Sequence, residues 1–342
     1  MRISTTLAYA ADPREAVEAV AALEEAGLDA VWVAEAYGFD SPTIMGYLAA
    51  RASRVLIGSA ILPIYSRTPA LLAQTAAGLD AVSGGRAILG LGASGPQVIE
   101  GWHGIEYDRP LGRTREIIGI CRQAWRRERL TNDGIYQLPL PPERGTGLGK
   151  PLKMLTRPVR DQIPIYVAAL GDRNVRMTAE LADGWLPFLF IPEHAAEVWG
   201  PALAAGAAKR SAELGPLEVV AGGPVAVGAD VTHLRDLARP LIALYVGGMG
   251  AKGRNFYHDL VSRYGYAAEA DRIQELYLAG HTAEAAAAVP AELLERTSLI
   301  GPESYVRDRV QAFREAGVTM LNVTPVGPDP RGAIATLKQL VQ

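Results

Sequence analysis

The stretch with the clearest chemical potential spans residues 86–104, RAILGLGASGPQVIEGWHG. Residues 87–91 form a short apolar run of the length that a buried strand prefers, and Gly92-Ala93-Ser94-Gly95 and Pro96 follow it. Small residues here let backbone N–H groups approach a bulky anion, and Ser94 adds a hydroxyl donor. The alternative is a tight turn whose glycines need positive φ, because glycine spacing alone is weak evidence.

A second glycine-rich run, Gly247 to Asn255, carries the cations Lys252 and Arg254. Long ordered insertions on an α/β scaffold often form lids or interfaces. The run is therefore interpreted either as a lid that grips an anion or as a solvated loop, and the sequence leaves both open.

The remaining polar residues argue against several chemistries. No lysine ends a predicted strand, which argues against Schiff-base catalysis. The histidines make no close pair, and only His103 lies near a strand end, so a histidine-rich metal site is not favoured. No G-x-S-x-G motif places a serine nucleophile between strand and helix. A site of small, apolar and aromatic residues fits an enzyme whose bound cofactor carries the chemistry.

Eight apolar runs are predicted as strands, at residues 3–9, 29–34, 55–62, 87–91, 163–170, 185–190, 217–227 and 319–324. Helical patterns fall between them, at residues 13–25, 68–83, 113–127, 173–182 and 332–340. This alternation predicts an α/β fold with a parallel sheet covered by helices, and eight strands favour a closed (β/α)8 TIM barrel. An open doubly wound sheet is the minor alternative.

We expect one domain over residues 1–342 with two departures from the alternation. Residues 130–160 are rich in proline and glycine and are predicted to form a loop excursion after helix 4. Residues 230–302 are predicted to be a mostly helical insertion between strands 7 and 8. Residues just after the strands line the active site of such a barrel.

The composition excludes some partners and compartments. The net charge of −3 gives no sign of nucleic-acid binding. The single cysteine, Cys121, falls at helical spacing with Ile117 and Trp125, which indicates a core residue and fits a reducing compartment. No signal peptide and no apolar run of membrane-spanning length is recognised, so we expect a cytoplasmic protein.

Four further segments support a resemblance to a known family: AVWVAE at 30–35, IGSAIL at 57–62, AALG at 168–171 and ADG at 182–184. Together with residues 86–104, they make the chain resemble the bacterial luciferase-like superfamily. The similarity is to its coenzyme F420-dependent branch, which includes methylenetetrahydromethanopterin reductase and F420-dependent glucose-6-phosphate dehydrogenase.

The resemblance implies a (β/α)8 barrel that binds F420 at the C-terminal ends of its strands, with a homodimer as the common assembly. It implies that the cofactor phosphate meets two loops, comprising Ala93, Ser94, Gly95, Leu170, Gly171, Arg173 and Asn174. It also implies a non-proline cis peptide between Ala60 and Ile61, with Ile61 pressing on the deazaflavin ring from behind. Without the resemblance, residues 60 and 61 read as an ordinary trans strand.

The chain departs from the sugar-phosphate dehydrogenases of this branch at their acid–base positions. An Asp-His pair after strand 2 is replaced by Glu35 and Ala36, and an acidic residue after strand 4 is replaced by Gly95. Alcohol oxidation needs a placed base, so reduction of an activated C=C or C=N bond fits better.

The proton for that reduction is expected from solvent or from one of four candidates: Glu35, Tyr37, Tyr65 or His103. Glu35 is the preferred candidate for a role at the ring. The tyrosines have the alternative role of packing over the ring, and His103 the alternative role of a hydrogen-bond partner within its loop.

Two other functions are compatible with the same residues. One is an FMN-dependent monooxygenase of the same superfamily, in which oxygen must reach the reduced flavin. The other is a non-catalytic flavin- or F420-binding protein, because both acid–base positions are lost. The expected partners are a small-molecule substrate and a second copy of the chain, with no nucleic acid and no membrane.

Overall fold

The computed structural model describes residues 1–7 and 12–342. Its strands are β1 (Arg2–Thr6), β2 (Ala30–Val33), β3 (Leu56–Ser59), β4 (Leu62–Pro63), β5 (Ala87–Gly92), β6 (Asn132–Asp133), β7 (Gln137–Leu138), β8 (Ile165–Ala168), β9 (Gly184–Leu186), β10 (Glu218–Ala221), β11 (Pro224–Val227), β12 (Leu299–Gly301), β13 (Met320–Asn322) and β14 (Thr324–Pro325).

The α-helices of the same residues are α1 (Pro13–Glu25), α2 (Ser41–Arg51), α3 (Pro69–Ser83), α4 (Pro96–Gly101), α5 (Pro110–Trp125), α6 (Asp172–Leu181), α7 (Pro192–Ala207), α8 (Arg239–Ala243), α9 (Phe256–Arg263), α10 (Ala267–Leu278), α11 (Thr282–Ala287), α12 (Ala291–Arg296), α13 (Glu303–Glu315) and α14 (Pro330–Leu340). A π-helical turn, Leu244–Gly248, follows α8.

Eight parallel strands close into a barrel in the order β1, β2, β3, β5, β8, β9, β10 and β13. The closure is visible in the register, since Arg2 pairs with Met320 and Ile57 pairs with Ala87. The predicted (β/α)8 barrel is therefore confirmed, and the open doubly wound sheet is wrong.

The barrel interior holds large side chains near its middle and mostly small residues near its mouth. Large side chains form an inner buried cluster that includes Trp32, Ile88, Tyr166, Val220 and Met320. Because strand residues two apart share a face, one step from these residues toward the C-terminal ends reaches Ala34, Gly90, Ala168, Gly222 and Asn322. Most of these residues are small, but neighbouring atoms already fill the space at Gly90 and Gly222. The βα loops beyond this layer line the mouth of the barrel.

The predicted strand 7 is divided into β10 and β11 by Gly222 and Gly223. A Cβ on Gly222 would lie 2.2 Å from the carbonyl oxygen of Asn322, and one on Gly223 would lie 1.9 Å from that of Thr297. Only glycine permits these approaches. Beyond them, β11 leaves the barrel and pairs with β12 and β14 in a small parallel sheet.

Other element boundaries differ from the sequence prediction. The predicted strand 6 ends at Leu186 instead of residue 190, since Leu189 has a positive φ of 50° and Phe190 stacks on Trp199 in the core. Helices α2 and α7 were not predicted. The predicted end of strand 1, at Tyr9, lies outside the described residues.

The two irregular segments contain short elements. In residues 130–160, β6 and β7 form a hairpin whose turn is fixed by Glu116, which accepts bonds from the amides of Ile135 and Tyr136 at 2.9 Å each. The segment between β11 and β12 contains the short helices α8 to α12.

The glycine run in that segment is partly explained by packing. Gly247 and Gly248 lie against the ring of Tyr277, where a Cβ would come within 2.4 Å. Asn255 is buried and caps α9 by accepting bonds from the amides of Tyr257 and His258. Lys252 and Arg254 are exposed.

Two further features of the described residues concern Cys121 and membrane-spanning helices. Cys121 is fully buried in α5, and burial raises the pKa of its thiol to about 12, so the thiol stays protonated and unreactive. Among the described residues, we find no helix that is both long enough and apolar enough to cross a bilayer.

A buried carboxylate fixes the junction between α1 and β3. Burial alone would raise the pKa of Glu24, but the amides of Ser53, Val55 and Arg54 donate to its oxygens and hold the pKa below its ordinary value. The stabilisation is therefore present above the unfolded pKa of about 4.3 and is lost as the pH falls through the lower folded value.

We expect Glu24→Gln to lower the free energy of unfolding by about 2 kcal/mol at pH 7, because charged acceptors make the stronger bonds. The loss should shrink at acidic pH, where the native carboxylate is protonated too. Urea denaturation at several pH values measures this, with exposed Glu25→Gln as the matched control. Equal losses for the two variants at pH 7 would contradict the assignment.

Candidate active site

The loops that follow β2, β4, β5 and β8 lie side by side at the barrel mouth. The strand order places β3 between β2 and β5, and β8 next to β5. The predicted site residues fall on these loops, on the strand ends beneath them, in the first turn of α6 or just after α4, so the fold brings them to one face.

The peptide bond between Ala60 and Ile61 is cis, which is the geometry that the resemblance implies. The amide of Ala60 donates to the carbonyl of Val33 at 2.8 Å, so β2 holds this point of the chain. The Ile61 side chain lies against Gly92, where an added Cβ would come within 2.7 Å of the Cγ1 atom of Ile61. Gly92 is therefore needed because Ile61 occupies the space of its side chain.

The turn after β5 has its positive φ at Ser94, with a value of 57°, and not at its glycines. The hydroxyl of Tyr107 donates to the carbonyl of Ser94 at 3.4 Å. Gly95 precedes α4 with an extended φ of −104°, and a Cβ placed on it would meet nothing within 4 Å. The interpretation of these glycines as a positive-φ turn is wrong, and open space lies beside Gly95.

The loop after β8 leads directly into α6. Gly171 caps the helix without a side chain, and a Cβ placed on it would meet nothing within 4 Å. Arg173 is exposed in the first turn. The Oδ1 atom of Asn174 is buried and has no hydrogen-bond partner within residues 1–7 and 12–342. The carbonyl of Leu170 accepts a bond from the indole of Trp199 at 3.2 Å, which anchors the loop.

Glu35 forms a bidentate ion pair with Arg67. Its oxygens lie 2.5 and 2.9 Å from the guanidinium nitrogens, and the amide of Ser41 donates to it at 2.9 Å. The two charged side chains are 8% and 12% exposed, so the pair is shielded from water, and its bonds raise the pKa of Arg67. Arg67 also reaches Asp40 at 2.6 Å. The network joins the loop after β4 to the start of α2.

Tyr65 is buried and its hydroxyl donates to the carbonyl of Asp108 at 2.8 Å. Its ring centroid lies 5.2 Å from that of Tyr107, and the guanidinium of Arg113 lies over the ring at 5.4 Å. Burial raises the pKa of Tyr65 above its ordinary value, so the phenol is neutral at physiological pH.

Tyr37 and Trp102 are exposed and their rings contact each other. Their centroids are 6.4 Å apart, and 55% and 64% of the two residues is exposed. His103 follows Trp102, and its Nε2 atom is buried without a hydrogen-bond partner among the residues that the structure describes.

The sequence analysis did not single out Arg67 or Trp102. Arg67 directly precedes Thr68, which caps α3, so its position after a strand end could have marked it. No local pattern pairs it with Glu35, which lies 32 residues away. Trp102 belongs to the quoted stretch, but its exposure follows only from the fold.

The comparisons with known proteins show the family. The model described as luciferase-like monooxygenase matches residues 1–320. The chain belongs to this family, and the resemblance inferred from the sequence is confirmed.

Two relatives are close along most of their length. One is Rv3520c of Mycobacterium tuberculosis (strain H37Rv), which is assigned by name to the coenzyme F420-dependent oxidoreductases. It is 42% identical over 331 residues, which covers 95% of each chain. The other is 5,10-methylenetetrahydromethanopterin reductase of Archaeoglobus fulgidus, which is 28% identical and covers 91% of this chain and 90% of its own.

Among solved structures, the coenzyme F420-dependent tetrahydromethanopterin reductase from Methanopyrus kandleri superposes with a TM-score of 0.82. It is 22% identical and covers 99% of this chain and 98% of its own. The likeness at this identity shows the fold. The structural comparison therefore supports the barrel fold, and the family assignment rests on the family model.

Proposed function

We propose that this protein is an F420-dependent oxidoreductase that reduces an activated C=C or C=N bond of a small organic substrate. The observation that carries the proposal is the 42% identity to a relative named for F420-dependent oxidoreduction, extending over 95% of both chains.

The residues at the mouth fit an anionic cofactor with a flat ring. Two buried polar atoms, Asn174 Oδ1 and His103 Nε2, have no partner within the described part of the chain. The space beside Gly95 and Gly171 is open. A bound ligand would give these atoms the hydrogen bonds that buried polar groups normally make.

Different residues at the mouth would hold the phosphate and the ring of the cofactor. The backbone of residues 93–95 and the first turn of α6 would hold the phosphate, because helix N-termini and exposed N–H groups favour anions. Arg173 adds a cation to that turn. Ile61, seated on Gly92, would support the ring from behind. When bound, the reduced cofactor supplies a hydride, which adds with one proton across the substrate bond and leaves the cofactor oxidised.

The hydrogen bonds of three of the four candidates bear on the source of the proton. Both oxygens of Glu35 are bound by Arg67, and the hydroxyl of Tyr65 is committed to Asp108. Glu35 therefore positions Arg67 and α2. His103 retains a buried ring nitrogen without a partner among the described residues, which makes it a candidate donor together with Tyr37 and solvent.

The direction of reaction follows from the missing base. Ala36 and Gly95 occupy the positions where the sugar-phosphate dehydrogenases of this branch carry acid–base side chains. Neither residue can accept a hydroxyl proton, so reduction suits the site better than alcohol oxidation.

Titration of the purified protein with F420 and, separately, with FMN tests the proposal. We expect F420 to bind with a Kd in the micromolar range and FMN to bind at least 100-fold more weakly. Tight FMN binding without F420 binding would contradict the proposal and favour a flavin monooxygenase. F420 binding without oxidation of reduced F420 by any enone or imine would indicate a non-catalytic binding protein.

We also propose that the protein is a cytoplasmic homodimer, as the resemblance implies. Light scattering should then give twice the chain mass of 36.4 kDa.

A further inference from the structure

The barrel mouth carries an exposed aromatic pair, which we call the aromatic lip and define as Tyr37 and Trp102. The two side chains come from different loops, one after β2 and one after α4, and their ring centroids are 6.4 Å apart. Both are more than half exposed. Large exposed aromatic surfaces next to a cavity often mark binding sites, because rings bury much apolar area on contact.

The opposite wall of the mouth is also aromatic. In a closed barrel of eight strands, β9 lies four strands from β2, so the loops after these strands face each other across the mouth. Phe188 follows β9 and is half-buried. Its ring centroid lies 4.4 Å from that of Tyr245 and 5.6 Å from that of Tyr257. Tyr245 belongs to the π-helical turn, a feature that is frequent at functional sites.

Two cations that belong to or contact the loop after β4, Arg67 and Arg113, are already paired with carboxylates. Arg67 is bound by Glu35 and Asp40. Arg113 contacts the carboxylate of Asp108, and this contact together with that of Arg109 lowers the pKa of Asp108. A phosphate or carboxylate on a substrate at the lip would have to compete with these carboxylates for a partner.

We propose that the substrate is an uncharged molecule with an aromatic or similarly broad apolar body, which packs on the aromatic lip. Its reducible bond then reaches down toward Ile61. The reduction step in this inference rests on the proposed function. The contact between substrate and aromatic lip does not, because it can be measured without cofactor.

The tryptophans offer a direct readout of this contact. The chain has five, and all of them lie in the described residues. Four are at most 1% exposed, whereas Trp102 is 64% exposed. Acrylamide quenching of the protein's fluorescence therefore reports mainly on Trp102. The experiment uses benzylideneacetone, its para-carboxylate, and 3-penten-2-one, in which a methyl group replaces the phenyl ring.

We expect benzylideneacetone to protect Trp102 from acrylamide, both without cofactor and with oxidised F420 present. The other two compounds should protect it at least 10-fold less well at equal concentration. With reduced F420, Trp102→Ala should raise the KM for benzylideneacetone about 10-fold and leave that for 3-penten-2-one within 2-fold. Leu155→Ala, which removes a 97% exposed side chain on the loop excursion, is the control and should change neither.

Three results would overturn the inference: no protection by benzylideneacetone, equal or better protection by the carboxylate, or protection that grows with protein concentration alone. The last result would mean that a second copy of the chain covers the lip. Protection by benzylideneacetone in a protein that fails to bind F420 would contradict the proposed function and leave the substrate class supported.

Discussion

Gly171→Asp should weaken F420 binding on the order of 100-fold without destabilising the protein. The residue caps α6 at the mouth of the barrel with φ −74° and ψ 145°, and a Cβ there would meet nothing within 4 Å. Aspartate is a favoured N-cap residue, so the variant should be as stable as the parent or slightly more stable.

The loss of affinity comes from electrostatic repulsion. Two like charges about 5 Å apart near a protein surface repel each other by roughly 3 kcal/mol, and 1.4 kcal/mol corresponds to a factor of ten in affinity. The effect should weaken at high ionic strength, because the residue is exposed and salt screens such pairs.

The matched control is Gly171→Asn, which has the same shape and also caps helices well but is neutral. We expect it to bind F420 within about 5-fold of the parent. Equal weakening by both variants would show that space and not charge is limiting. No weakening by either variant would place the phosphate elsewhere.

Glu35→Gln should lower the free energy of unfolding by about 3 kcal/mol, because it leaves the buried guanidinium of Arg67 without its principal counter-charge. Arg67 is 12% exposed, and the glutamate supplies two of its charged hydrogen bonds. The loop after β4 and the start of α2 should loosen together, which urea denaturation and hydrogen exchange at these segments measure.

Asp40→Asn is the matched control for this prediction. Asp40 contacts the same guanidinium, but its side chain is 52% exposed. An asparagine at this position can still accept the hydrogen bond from the Thr43 amide that caps α2. Its cost should stay below about 1 kcal/mol, as for most exposed pairs. The double variant Glu35→Gln with Arg67→Met should be more stable than Glu35→Gln alone. Simple addition of the two single losses would show that the pair is not coupled.

The barrel itself could be predicted because its strands are short apolar runs that alternate with helical patterns. The run 87–91 matches β5 closely, and the helix predicted at residues 13–25 matches α1. Helices α2 and α7 were missed for a physical reason. In both helices the apolar residues recur with only weak helical periodicity. Packing against the rest of the protein therefore decides whether these segments form helices.

The break in strand 7 was beyond sequence reasoning because its cause is distant in the chain. Gly222 and Gly223 are required by the carbonyls of Asn322 and Thr297, which approach only once the barrel has closed. Ser94 illustrates the same limit, since the positive φ fell on a serine between glycines that adopt ordinary angles.

The sequence predicted where the site residues lie but not which hydrogen-bond partners they have. Placing residues after strand ends located Glu35, Tyr65, Ser94 and Gly171 on one face. The ion pair of Glu35 with Arg67 and the hydrogen bond from Tyr65 to the carbonyl of Asp108 join residues that are 32 and 43 positions apart. These bonds change the roles that the residues can take, because a carboxylate already bound to a guanidinium is poorly placed to carry a proton.

A crystal structure of the protein grown with F420 tests the central claim most directly. We expect density for the cofactor at the barrel mouth, with its phosphate against residues 93–95 and Gly171 and its ring in front of Ile61. The claim would be contradicted by a mouth filled with protein side chains. It would also be contradicted by cofactor density only in the basic cleft of about 790 Å³ at the opposite end of the barrel, which Arg126, Arg127 and Arg157 line.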